Sequence, residues 1–219
     1  VTSSLKNHLT RIKQGSYKGR DICKGRNNKE LEMFKEYLDR IERVMKKTTS
    51  EYSRVTAVRV DLKFPSTIKY EVGNVIKRFI GSLTSQIEVD IKRKRREGKR
   101  TPSCNVRYIW VKENKLSIND HYHCVLFFNK DVYAYLGNYR SINNLAYKIQ
   151  SAWCRALDLD IDEGEGLVHF PKHAVYWLNR TANNFEVQFD QLFKRLSYFA
   201  KSETKKYGDR RRSFGCSQR

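Results

Sequence analysis

His121 and His123 stand two residues apart in Asp120-His121-Tyr122-His123-Cys124-Val125-Leu126-Phe127-Phe128, a segment whose second half is apolar throughout. Such a run reads as a β-strand, and on a strand residues two apart share one face. The two imidazoles therefore project side by side, while Tyr122, Cys124, Leu126 and Phe128 turn the other way into a core. Two converging imidazoles can share one divalent cation. Glu113 closes the preceding strand, and a hairpin between the two strands would set it opposite the pair; Asp61, on the first strand, and Asp120 are alternative donors. Two nitrogens and one oxygen leave positions for water and a phosphate oxygen, as a catalytic site requires. Magnesium prefers oxygen ligands, so the histidines favour tolerance of manganese, and the expected cofactor is Mn2+ or Mg2+. Structural zinc would want four closed ligands, and no fourth of the usual kind stands nearby.

Tyr198 is the other residue whose setting could do chemistry. Phe185, Phe189, Leu192, Phe193, Leu196, Phe199 and Ala200 form an apolar stripe at helical spacing, which predicts a helix from about Asn183 to Lys206. At roughly 100° per residue, Tyr198 falls far from the centre of that stripe, on the side of Lys194, Lys201 and Lys205. Cations around a phenol favour the phenolate and attract a phosphodiester. Lys201, at i+3, can reach the same phosphate or its leaving oxygen.

Other elements must position these groups. Leu31, Phe34, Leu38, Ile41, Val44 and Met45 recur three and four apart, which predicts a helix over about 29–50. Val58, Val60 and Leu62 alternate in Arg54 to Phe64, a strand stopped by Pro65. A long helix is expected from about Tyr70 to Arg96, dissolving into the basic run Lys92 to Arg100, a solvated helix end compatible with a phosphate-contacting patch. Asn105 to Glu113 and His121 to Asn129 read as paired strands, Ser141 to Leu157 as a helix, and Gly166 to Phe170 and Ala174 to Leu178 as short strands. Residues 1–28 are basic and interrupted by Gly15, Gly19 and Gly25, so a mobile arm is expected ahead of a domain over 29–219. Mixed rather than alternating elements favour an α+β fold around a central antiparallel sheet flanked by helices.

Lysine and arginine total 44 against 24 aspartate and glutamate, a formal net charge of +20. Charge of that size favours a polyanionic partner, nucleic acid above all. Five cysteines lie singly with no C-x-x-C spacing, which argues against a zinc ribbon or disulfide framework and for reduced thiols in a cytosol. No stretch approaches the roughly 18 apolar residues of a membrane span, so a soluble protein without a membrane partner is expected.

These motifs together resemble the HUH endonuclease superfamily, named for a histidine, a hydrophobic residue and a second histidine, here His121-Tyr122-His123. The nucleophile motif of that superfamily, Tyr-x-x-Lys, is matched by Tyr198-Phe199-Ala200-Lys201, and its usual third ligand by Glu113. Within it, the chain is similar to inovirus-type and prophage replication proteins of YagK/YfjJ type. That likeness rests on Val58 to Pro65, His121 to Asn129, Leu196 to Lys201 and Arg212-Ser213-Phe214-Gly215-Cys216-Ser217, and covers about residues 50–217. The resemblance implies a ferredoxin-like or RRM-like sheet with the histidines on a central strand and the tyrosine helix alongside.

It also implies that single-stranded DNA, or an origin hairpin, is nicked through a 5′-phosphotyrosine link. The free 3′-hydroxyl would then prime rolling-circle replication of a phage or mobile element in the cytoplasm of a bacterial host. Arg59, Lys63, Lys194, Lys205, Arg210, Arg211 and Arg212 are the expected DNA contacts. No second tyrosine stands at the spacing of two-tyrosine replication proteins, and no helicase or ATP-binding motif is present, so a host helicase and polymerase are implied partners. The competing readings are a non-catalytic DNA-binding replicon regulator of the same fold, and a mobilisation relaxase or transposase using the same chemistry.

Overall fold

The computed structural model describes residues 9–65, 74–113, 121–139, 141–203 and 212–218. In chain order, β1 (Arg11–Lys13), β2 (Ser16–Tyr17), β3 (Arg20–Asp21) and β4 (Glu32–Phe34) lead into α1 (Lys35–Glu51). Then come β5 (Arg54–Leu62), α2 (Val75–Arg96), β6 (Arg107–Glu113), β7 (His121–Asn129) and α3 (Leu145–Leu157). β8 (Val168–His169), β9 (Val175–Asn179), α4 (Phe185–Ser197) and β10 (Phe214–Cys216) complete the described elements.

The main sheet is antiparallel in the order β10-β6-β7-β5, and β8 and β9 share the far side of β5. β7 is thus interior to the sheet with both faces covered, which is why Cys124 to Phe128 read as an unbroken apolar run rather than an alternation. Val58, Val60, Leu62, Tyr122, Leu126 and Phe128 pack on one side against α2 and α3. Val55, Ala57, Ile109, Val111, Val125 and Phe127 pack on the other against α1 and α4. The protein is therefore α+β, with helices on both faces of one antiparallel sheet. Phe127 and Phe128 are fully buried on opposite faces, and truncating either to alanine would cost about 3–5 kcal/mol.

A buried polar knot ties α2 to the loop after β7. Asp90, 5% exposed, accepts from Tyr133 Oη at 2.6 Å and Arg93 Nη2 at 2.7 Å, and pairs with Lys94 at 3.0 Å. Burial works to raise its carboxyl, but these partners outweigh it and hold the group at about 2. Because the folded value lies below the unfolded one, the stabilisation is fully present above about pH 4 and is lost as pH falls towards 2. After allowance for solvent around Arg93 it amounts to about 1–2 kcal/mol. Asp90→Asn is expected to melt several degrees lower than wild type at pH 7, with the gap narrowed to about half at pH 3. Thermal melts at both values check this, and a gap independent of pH would rule the linkage out.

Several boundaries differ from expectation. Leu31 and Phe34 carry helical spacing but precede α1, because the chain there pairs with β1, Arg11 opposite Phe34 and Ile12 opposite Met33. α3 starts at Leu145, where the Asn144 side chain accepts the Tyr147 N–H and caps the helix. The strand stretches 105–113, 166–170 and 174–178 are trimmed or shifted to the bounds of β6, β8 and β9. Residues 66–73, which include the expected start of the second long helix, lie outside the described residues.

Residues 9–28 are not a free arm. Tyr17 and Ile22 are buried in the core shared by α1 and α4. Arg20 pairs with Glu186 and Asp190 of α4, and the Cys23 N–H donates to Ser197 Oγ at 2.8 Å. The reason is that two or three well-placed apolar anchors suffice to dock an irregular segment, and they leave no periodicity to read. Gly19 (φ 77°) belongs to the tight turn joining β2 to β3 rather than to a flexible linker.

Candidate functional site

β6 and β7 pair with Glu113 opposite His121 and Val111 opposite His123, and β5 adds Asp61 opposite His123. Cross-strand partners share a face, so Glu113, His121, His123, Asp61 and Arg59 all emerge on the α1/α4 side of the sheet. One ligand atom from each of Glu113, His121 and His123 lies within 4.8 Å of the others. The two imidazoles sit 4.9 Å apart and nearly perpendicular. Glu113 is 1% exposed and forms the floor of the site; the histidines are partly open. Asp120 lies outside the described residues.

Asp61 takes a different part from that of a direct donor. Its Oδ1 lies 2.6 Å from His123 Nδ1 and 3.3 Å from Arg59 Nη2. Burial pushes the Asp61 carboxyl up, yet the hydrogen bond and charge of His123, with Arg59 behind them, hold it at about 2. An ionised carboxylate can only accept, so His123 Nδ1 carries the proton and Nε2 faces Glu113 Oε2 across 3.3 Å. Burial favours the neutral ring of His123, but Asp61 and Glu113 outweigh it and raise its proton affinity. A neutral Nε2 and a carboxylate oxygen at this separation are two acceptors face to face. Something positive belongs between them, either a proton or a metal cation.

The turn that carries Tyr198 reaches the same site by a shorter route than expected. α4 stops at Ser197, whose hydroxyl donates to the Lys194 carbonyl while accepting the Cys23 N–H. Tyr198 to Ala200 tighten into a single 3-10 turn, and Lys201 bridges to Met33 while the Ser202 N–H donates to the Glu32 carbonyl. The helix expected to run to Lys206 ends here because β4 captures the chain. The turn packs on the histidine site: Phe199 stacks on His123 at 6.4 Å, and Arg59 lies 5.4 Å over the Phe199 ring. Tyr198 is half-buried, and Lys201 Nζ sits 5.8 Å from the centre of its ring. Burial works against the Lys201 ammonium, but Glu203, Tyr198 and Glu113 raise its proton affinity overall. Lys201 therefore feels both the tyrosine and the Glu113 carboxylate.

The expected DNA contacts divide. Arg59 is 6% exposed and committed to Asp61, so it belongs inside the site rather than on a DNA-binding surface. An arginine on a central strand beside a buried carboxylate is drawn inward, which the strand pattern alone could not reveal. Lys194 points outward but pairs with Asp21 at 3.1 Å. Lys63 and Arg212 are exposed; Lys205, Arg210 and Arg211 lie outside the described residues. Residue spacing alone does not show that Asp61 lies against His123. Alternation places Asp61 on the face of Arg59, but only strand order puts it beside His123.

The model of the YagK/YfjJ C-terminal domain matches residues 15–217. The chain belongs to that family. Two relatives from Escherichia coli strain K12 are similar over most of their length. The protein described as uncharacterized protein YagK is 40% identical over 193 residues, covering 84% of this chain and 92% of the relative. The protein described as uncharacterized protein YfjJ is 35% identical over 195 residues, covering 83% and 93%. No solved structure matches. The family match starting at residue 15 agrees with the packing of the N-terminal segment as part of the domain. Among the described residues, no helix is long and apolar enough to cross a membrane.

Proposed function

We propose that the protein is a metal-dependent nickase of single-stranded DNA that works through a covalent phosphotyrosine at Tyr198. The observation that carries this is the gathering of Glu113, His121 and His123 within 4.8 Å, beside the turn that bears Tyr198 and Lys201. The donor set fits a divalent cation: ligands at about 2.1 Å in neighbouring positions of an octahedron are about 3 Å apart, close to the 3.3 Å between His123 and Glu113. Asp61 behind His123 is the outer partner that fixes ring orientation in such sites. Mn2+ or Mg2+ held there would polarise a phosphate oxygen.

Tyr198 Oη then attacks phosphorus; the new O–P bond forms as the bond to the 3′ oxygen breaks. The phenolic proton passes to solvent, and Lys201 donates one to the departing 3′ oxygen. Attack by a 3′-hydroxyl on the tyrosyl phosphate reverses the step and joins strands. The histidine strand inside an antiparallel sheet, with the tyrosine turn against it, supports the ferredoxin-like HUH arrangement. Rolling-circle replication of a phage or mobile element, with host helicase and polymerase, is the setting in which a primed 3′-hydroxyl has a use. The deciding experiment incubates the protein and single-stranded DNA with Mn2+, denatures the mixture, and looks for a protein–DNA adduct. Its absence with every divalent metal tried, across DNA of varied sequence, would sink the proposal.

The outer partner gives a separate expectation. Asp61→Ala should weaken Mn2+ binding by about 10- to 100-fold, read by calorimetric titration of metal alone. Unchanged affinity would mean that Asp61 does not orient a ligand.

A further inference from the structure

Along the free edge of the sheet, between α1 and α2, runs a groove of about 800 Å³. β10 forms its floor, and among the described residues no aspartate or glutamate lines it. Arg40, Arg43 and Lys47 reach it from α1, Lys77 from α2, and Arg212 from the residue run into β10. All five are exposed, and none is within ion-pair distance of a carboxylate among the described residues.

α1 shows that this is an arrangement and not a side effect of a basic composition. At roughly 100° per residue, Arg40, Arg43 and Lys47 fall within one narrow sector of the helix. Lys35 and Lys46 fall in another, where Asp39 and Glu42 neutralise them at 3.2 and 2.6 Å. The apolar sector, including Tyr37, Leu38, Ile41, Val44 and Met45, faces the core. One helix thus carries a paired charged face and an unpaired cationic face, and the unpaired one meets the groove.

The wall facing α2 adds half-buried Tyr108 and Trp110. Trp110 lies directly across Gly215 on β10, where a Cβ would come within 2.4 Å of the indole. The glycine leaves room for the indole against the sheet edge. Aromatic planes beside unpaired guanidinium and ammonium groups are the pairing that single-stranded nucleic acid uses, bases stacking while phosphates meet cations.

The groove also leads to the candidate site. The Lys112 N–H donates to the Ser213 carbonyl, so Arg212 stands beside the end of β6 that carries Glu113. From there β6 runs about 20 Å to Arg107.

We infer that this groove is a binding track for single-stranded DNA, with Arg40, Arg43, Lys47, Lys77 and Arg212 on phosphates and Tyr108 and Trp110 against bases. The inference stands apart from nicking, since binding needs neither metal nor Tyr198. It is tested on the full chain in EDTA by fluorescence anisotropy with labelled oligothymidylate over a range of salt. Arg40→Ala/Arg43→Ala/Lys47→Ala should lower affinity by about tenfold or more near physiological salt, and should flatten the plot of log affinity against log salt by about 2. Lys77→Ala, on the opposite wall, should weaken binding further when added to the triple variant.

The matched control is Lys92→Ala/Arg96→Ala/Arg100→Ala, which removes as many exposed cations from the basic end of α2 and should change affinity only about twofold. Thermal melts establish that both variants are folded. Equal losses in the two triples would overturn the track in favour of a diffuse field. Retained binding in the α1 triple would overturn it outright. Competition by polyglutamate as strong as by the oligonucleotide at equal charge would overturn it in favour of an acidic protein partner. Loss of nicking with the track intact would instead fall on the catalytic proposal alone.

Discussion

Tyr198→Phe is expected to abolish the covalent adduct and to lower nicking by about three orders of magnitude or more, as removal of a nucleophile does. The substitution deletes one oxygen and keeps the ring that Lys201 overlies at 5.8 Å. Phe199 still stacks on His123 and Ala200 stays in the core, so the fold and the metal ligands should be untouched. Melting temperature, Mn2+ affinity and oligonucleotide affinity in EDTA should therefore match wild type. Denaturing electrophoresis of labelled DNA gives the adduct directly. If Tyr198→Phe still forms it, another of the 13 tyrosines is the nucleophile and the assignment fails. Residual hydrolytic nicking without adduct would instead fit water replacing the phenol at an intact metal centre.

The second large effect belongs to the histidines. His121→Ala and His123→Ala should each remove cleavage by more than about 100-fold while leaving salt-sensitive DNA binding largely in place, since binding rests on lysine and arginine. The two should differ in stability. His123 is bound to Asp61 at 2.6 Å and lies against Phe199. Its loss leaves half-buried Asp61 with Arg59 and the exposed His169 as its ion-pair partners among the described residues, a cost of about 1–3 kcal/mol. His121, at the open end of β7, should cost less. Denaturant melts separate the two variants, and calorimetry with Mn2+ reads the lost ligand. Parallel loss of DNA binding and cleavage in both variants would mark the pair as structural.

The strand with the histidines was legible because its alternation places them together and its apolar run demands cover on both sides. Glu113 was legible for the same reason, since a strand that closes just before its partner begins can set its last residue opposite the first of the next. The tyrosine turn was half legible. The apolar stripe of α4 continues through Phe199 and Ala200, which are buried, so periodicity gave no sign that the helix ends at Ser197. That ending depends on Cys23 and on Glu32, more than 160 residues earlier in the chain.

The surroundings of the basic side chains were the least legible part. Arg59 and Lys194 look like any other cations in the sequence, whereas the structure buries Arg59 against Asp61 and leaves Lys194 exposed beside Asp21. Arg40, Arg43 and Lys47 sit in a helix whose apolar stripe announces itself, yet their meaning depends on β10, which joins the sheet edge from the far end of the chain. The packing of the N-terminal segment leaves no mark in the sequence, because docking by a few anchors such as Tyr17 and Ile22 gives no period to detect.

By itself, then, the order of residues determined the local facts: which side chains share a strand face or a helix sector, and a net charge of +20. Only the tertiary structure decided which carboxylate would face His123 Nε2, Glu113, and which would stand behind the ring at Nδ1, Asp61. It likewise decided which cations are spent on ion pairs and which remain for a ligand. The physical reason is range. Periodicity reports the backbone geometry of neighbours, whereas the charge state and orientation of a group depend on whatever the fold brings within a few ångströms of it.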